Sequence, residues 1–154
     1  MKKWVFLCVT LLGLVGCGRR NPPPLPKGAV EKILMSRTAC LGKCPVYTVT
    51  LSRDGSAELF ARSHLSRQGD FTGKVDGAVF DELCERMDRE RFDQFALRYD
   101  AAYTDAASCT VTVLRKDGRG NSVYEYGREG PGGLHVIQKA IDEARDGIDW
   151  QPMR

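Results

Sequence analysis

Two stretches of the chain echo one another, "TVTLSRDGSAELF" from Thr48 and "TVTVLRKDGRGNSVYEY" from Thr110. Each has a T-V-T start, a basic approach and an Asp-Gly pair, at Asp54-Gly55 and Asp117-Gly118. Alternation of apolar and polar residues marks a strand buried on one side, and the glycine can take the positive φ that a tight hairpin needs. Both segments therefore read as antiparallel hairpins, here two solutions of the same local problem with no duplication required. A lone hairpin with one apolar face is marginal in water, so the chain must supply a cover for that face.

The segments that follow supply it. After the first hairpin, Val79, Phe80, Leu83, Cys84 and Met87 fall on one side of a helical period, and Asp81, Glu82, Glu85, Arg86 and Arg89 on the other. Leu134, Ile137, Ala140, Ile141 and Ala144 repeat the pattern near the C-terminus. Ile33 to Arg37 reads as a first strand, and a further strand is expected near Phe71 to Val75. Phe92, Phe95 and Tyr99 are expected to close one end of the core. The expected class is α+β: an antiparallel sheet of two Asp-Gly hairpins plus extra strand, covered in a second layer by two amphipathic helices.

The N-terminus indicates the compartment. Met1-Lys2-Lys3 is basic, Trp4 to Val15 is almost wholly apolar, and Leu14-Val15-Gly16-Cys17 sets small residues before a cysteine. The apolar run is shorter than the roughly 20 residues that span a bilayer. The pattern resembles the lipobox of bacterial lipoproteins, and the resemblance implies that residues 1–16 are a cleaved signal peptide and that Cys17 carries the lipid. Gly18, in place of an aspartate, points to the outer membrane, facing the periplasm, if the cell has one. Cleavage removes Lys2 and Lys3 and lowers the formal charge from +3 to about +1. Such a charge gives no support for a nucleic-acid partner. The expected partners are the membrane, through the lipid, and an envelope protein or small ligand. Residues 17–28, with "GRRNPPPLPK" inside them, read as a proline-rich tether reaching about 30 Å. Residues 29–154 are expected to form a single globular domain.

Reactive side chains concentrate in "CLGKCPVYTVTL", residues 40 to 51. Cys40-Leu41-Gly42-Lys43-Cys44-Pro45-Val46-Tyr47, followed by an Asp-Gly hairpin, a helix and Tyr103-Thr104-Asp105, resembles a family of uncharacterised bacterial domains often found in lipoproteins. The resemblance covers about residues 30 to 150. It implies that both cysteines, Gly42, Pro45 and Tyr47 belong to the domain's defining pattern, and it carries no activity.

Three uses of Cys40 and Cys44 compete. A thiol-redox site ordinarily has Cys-x-x-Cys spacing and a helix N-terminus that lowers one thiol's pKa, whereas this pair leads into a strand. A copper site is suggested by Cys-x-x-x-Cys-Pro, which Sco-type copper chaperones carry on a thioredoxin fold. That fold's pattern is missing, and the only histidines are His64 in a loop and His135 near a helix start. The favoured reading is a disulfide closing a short loop, with Gly42 free to bend and Pro45 holding Cys44 extended. Such a bond contributes about 2 kcal/mol on a chain-entropy model.

Cys84 and Cys109 both point towards the core and are expected to bridge helix to sheet, although free buried thiols are an ordinary alternative. Tyr47, Tyr99, Tyr103 and Asp105 are candidate ligand-binding residues, with Asp105 equally able to fix its turn. "GREGPGG" (127–133) lacks the ending of a phosphate loop and reads as a connector. Ser63, His64 and Ser66 lack a nucleophile elbow. Without a catalytic constellation, enzyme activity is not the expected class, and no cofactor or metal is expected. The expected function is a lipid-anchored envelope binding or interaction module stapled by disulfides, with periplasmic thiol-redox or copper binding through Cys40 and Cys44 as the alternative.

Overall fold

A computed structural model describes residues 28–153. The expected signal peptide 1–16, the expected acylation site Cys17 and the expected tether up to Lys27 lie outside the described residues. Eight strands and two helices follow one another as β1 (Val30–Arg37), β2 (Val46–Ser52), β3 (Ser56–Ser63), β4 (Gly69–Lys74), α1 (Gly77–Arg89), β5 (Arg98–Asp100), β6 (Ser108–Arg115), β7 (Gly120–Tyr126), α2 (Gly132–Asp146) and β8 (Gln151–Pro152). A single 3-10 turn at Phe92–Gln94 separates α1 from β5. The fold is mixed α+β, with one open sheet in the order β5-β7-β6-β1-β2-β3-β4-β8.

β2 and β3 pair antiparallel across Asp54-Gly55, and β6 and β7 across Asp117-Gly118. Gly55 and Gly118 have φ of 86° and 79°, the left-handed values that make glycine the fitting residue in these turns. β1 joins the two pairs, antiparallel to both β2 and β6. It spans Val30–Arg37, longer than the stretch expected, and β4 occupies Gly69–Lys74, two residues earlier than its apolar residues suggest. β5 and β8 are short additions at the two edges, β5 parallel to β7 and β8 antiparallel to β4.

One face of the sheet carries Ile33, Met35, Val49, Leu51, Leu59, Val111, Val113 and Val123, all buried. They form one apolar cluster with Phe80, Leu83 and Met87 of α1 and with Leu134, Ile137 and Ile141 of α2. Asp76 caps α1 by accepting from Ala78 N at 2.7 Å, and Arg86 and Arg89 oppose the dipole at its last turn. The helices sit slightly differently from their apolar periods. Val79 is 38% exposed, Cys84, Ala140 and Ala144 are half-buried, and Gln138 and Arg145 are buried in their place. Phe92 is buried and meets Phe95 edge-on at 6.0 Å, while Phe95 and Tyr99 pack partly buried against the core.

Candidate functional site

The strand directions gather the loops. β1, β5 and β7 finish, and β2 and β6 begin, at the end of the sheet opposite the two Asp-Gly turns. Three loops meet there: 38–45, 101–107 and 127–131. They contain the cysteine pair, Tyr103-Thr104-Asp105 and the start of "GREGPGG", segments far apart in the chain.

Cys40 and Cys44 stand at disulfide distance with Cα atoms 5.7 Å apart, the one such pair among the described residues. Gly42, at φ 151°, bends the chain between them, and its amide donates to Cys40 O at 2.9 Å. Leu41 N donates to Asp105 O at 2.9 Å, which docks this loop on the 101–107 loop. Asp105 takes φ 66°, and its carboxylate accepts from Thr104 Oγ1 at 3.2 Å. Tyr103 is 53% exposed, and its hydroxyl donates to Gly127 O at 2.6 Å, tying in the third loop. Leu41 projects from the apex, 86% exposed.

Beneath the loops runs a polar seam that the sequence reading missed. The pairing sets Tyr47, Arg37, Cys109 and Glu125 abreast on the covered face of β2, β1, β6 and β7. Along α2, His135, Gln138, Asp142 and Arg145 follow a 3-4-3 spacing, one stripe of a helix. The two rows meet. Glu125, 2% exposed, accepts from Gln138 Nε2 at 2.7 Å and Gly130 N at 2.7 Å, and its Oε1 lies 2.5 Å from His135 Nε2. Asp142 takes the Tyr47 hydroxyl, Arg37 Nη2 at 2.9 Å and Arg145 Nη1 at 2.7 Å. Arg37 Nε donates to the Tyr47 hydroxyl at 3.0 Å, and the Arg145 guanidinium lies 4.4 Å from the centre of the Tyr47 ring.

The electrostatics suit a lock. Burial, reinforced by Asp142, holds the Tyr47 phenol well above its ordinary value. Burial also pushes the Cys109 thiol up to about 12, against the pull of Arg37. Burial alone would raise the Glu125 carboxyl, but hydrogen bonds from Gln138, His135 and Gly130 outweigh it and hold the group below the ordinary carboxylate range. Tyr47 and Cys109 therefore keep their protons at neutral pH and offer no nucleophile. No buried side-chain nitrogen or oxygen among the described residues lacks a partner, so the seam positions α2 on the sheet.

The candidate residues thus divide. Cys40, Cys44, Tyr103 and Asp105 share the loop end. Tyr47, 1% exposed, belongs to the seam, and the Tyr99 hydroxyl accepts from Ala96 N at 3.0 Å within its own turn. The expected bridge between Cys84 and Cys109 is not formed, and both thiols are free. Cys109 faces Glu125 and Arg37 on the sheet, whereas Cys84 lies beside Arg53, whose Nη2 is 3.5 Å from its sulfur. His135, placed by the sequence only near a helix start, is held by Glu125. A signal for the seam did exist: His135, Gln138, Asp142 and Arg145 advance in step with Leu134, Ile137 and Ile141.

A family model for a domain of unknown function, DUF6438, matches residues 31–145. The chain belongs to this family. The match covers β1 to nearly the end of α2, including the cysteine loop and the seam, so it encloses every candidate residue except Cys17. No curated protein and no solved structure gives a significant match.

Proposed function

We propose that this DUF6438 protein is a lipid-anchored cell-envelope interaction module that engages its partner through the loop end. The leader and Cys17 support anchoring, and Gly18 supports the outer membrane with the domain on its periplasmic side. In this reading the domain is two-layered, with helices behind the sheet and the loops at one edge of both.

One observation carries the choice of surface. Leu41 is 86% exposed at the apex of a loop closed by Cys40 and Cys44 and docked on Asp105. An exposed leucine on a mobile loop means little, but a fixed apolar anchor has already met the ordering cost of binding. Geometry agrees. The chain enters the domain at Val30, at the Asp-Gly end, and eight residues of β1 span about 26 Å before the cysteine loop. A lipid at Cys17 would therefore join the domain at the end opposite Leu41, with a tether long enough to let the loop end face away from the membrane.

The test is site-specific photocrosslinking in cells with the anchor intact. A photoreactive residue at position 41 should give discrete adducts, and one at position 117, in the opposite turn, should not. Equal labelling from both positions, or none from 41, would remove the assignment. The competing thiol-redox or copper reading requires Cys40 and Cys44 reduced and alkylatable in freshly isolated protein.

A further inference from the structure

We propose that the Cys40–Cys44 bond gates the loop end: closed, it holds Leu41 on the 101–107 loop; opened by a dithiol reductant, it releases that contact while the domain stays folded. This inference rests on the interaction reading above and adds its regulation.

The placement of the bond separates it from the fold. Neither cysteine belongs to the apolar cluster, and both are half-buried in a surface loop rather than in the core. The bond encloses a very short loop, which constrains the unfolded chain least. At its root the loop is fixed independently, because Thr38 N donates to Ser108 O at 3.1 Å and Ser108 N donates to Thr38 Oγ1 at 2.9 Å. At its apex the backbone contact is the single bond from Leu41 N to Asp105 O. Next to the apex Gly42 sits at φ 151°, and a glycine takes positive and negative φ about equally readily, so a freed loop can rearrange there. Opening the ring frees the apex and leaves the root in place.

The chemistry is thiol–disulfide exchange. One thiolate of the dithiol attacks one Sγ, the Cys40–Cys44 bond breaks, and the departing cysteine takes a proton. The second thiol of the reductant then displaces the remaining cysteine and closes its own disulfide. Two electrons and two protons pass from the dithiol to the pair. Among the described residues, the other two thiols do not compete for the bond. Cys109 is 4% exposed with its thiol raised by burial, and Cys84 sits on α1 beside Arg53, near the opposite end of the sheet.

Hydrogen exchange on the full chain, oxidised and after dithiothreitol, tests this directly. Protection of the Leu41 amide and of residues 101–107 should fall about tenfold or more on reduction, while β1 and β6 keep theirs. The paired variant Cys40→Ser with Cys44→Ser should show the reduced pattern without reductant. Unchanged exchange at Leu41 and 101–107 would overturn the gate, and so would loss of protection throughout β1 and β6. Crosslinks from position 41 should vanish on reduction. If exchange responds as expected but position 41 crosslinks to nothing in either state, the interaction reading fails and the gate stands.

Discussion

Asp142 is the residue on which most of the seam depends, because one carboxylate serves Tyr47, Arg37 and Arg145 at once. Asp142→Asn leaves the Arg37 guanidinium with a neutral partner and Arg145 with Asp146 as its remaining carboxylate, and should cost about 2 kcal/mol in urea unfolding. Tyr47→Phe deletes one hydroxyl and should cost about 1 kcal/mol. Glu125 adds a pH dependence. Its folded pKa is depressed, so its contribution is present above the ordinary glutamate value of about 4.3 and is lost as pH falls through the lower folded value. Stability measured from pH 6 downwards should therefore decline below about pH 4.3, and Glu125→Gln should flatten that decline while lowering stability at pH 6. A wild-type profile as flat as the variant's would remove Glu125 as the cause. These residues were the least legible in the sequence. A polar side chain on a helix reads as solvent-facing unless the opposing strand is known, and only the register that sets Arg37 beside Tyr47 and Cys109 reveals the partners.

The elements themselves were far easier to read, for a reason visible in the hairpins. Alternation and an Asp-Gly turn are local, so β2, β3, β6 and β7 follow from short windows, and the two helices follow from a period of 3.6. β5 and β8 carry no such signal. Their three and two residues are strands only because β7 and β4 present free edges to them. The same limit explains Cys84 and Cys109: both have the inward spacing expected, but spacing within an element says nothing about where along the sheet a helix residue lies. The hairpin turns offer an independent check of the division between ends. Gly55→Ala forces a side chain onto φ 86° and should cost about 1 kcal/mol or more in urea unfolding. Photocrosslinking from position 41 should be unaffected, since the turn lies at the other end of the sheet.

At the scale of the whole molecule, the anchor and the domain should be separable. Cys17→Ser should abolish labelling by radioactive palmitate and leave the leader uncleaved, with the domain still folded. Lipid recovered on that variant would refute the assignment of Cys17. Residues 29–154, exported alone to an oxidising compartment, should be soluble and unfold in one cooperative transition, because the described core is one continuous cluster. Two separate transitions would contradict the single-domain boundary.

The shortness of the outer strands would have a further effect if, as proposed, the protein is held at a surface. Tethering to a bilayer confines molecules to two dimensions and raises their collision frequency, a setting in which an open sheet invites growth by addition of like strands. Here the sheet offers β5, three residues long, on one side and β8, two residues ending in Pro152, on the other. Proline has no amide hydrogen to donate, and two or three residues give an incoming strand too few partners to hold register. On a membrane-anchored copy these short outer strands would limit growth along the edges of the sheet.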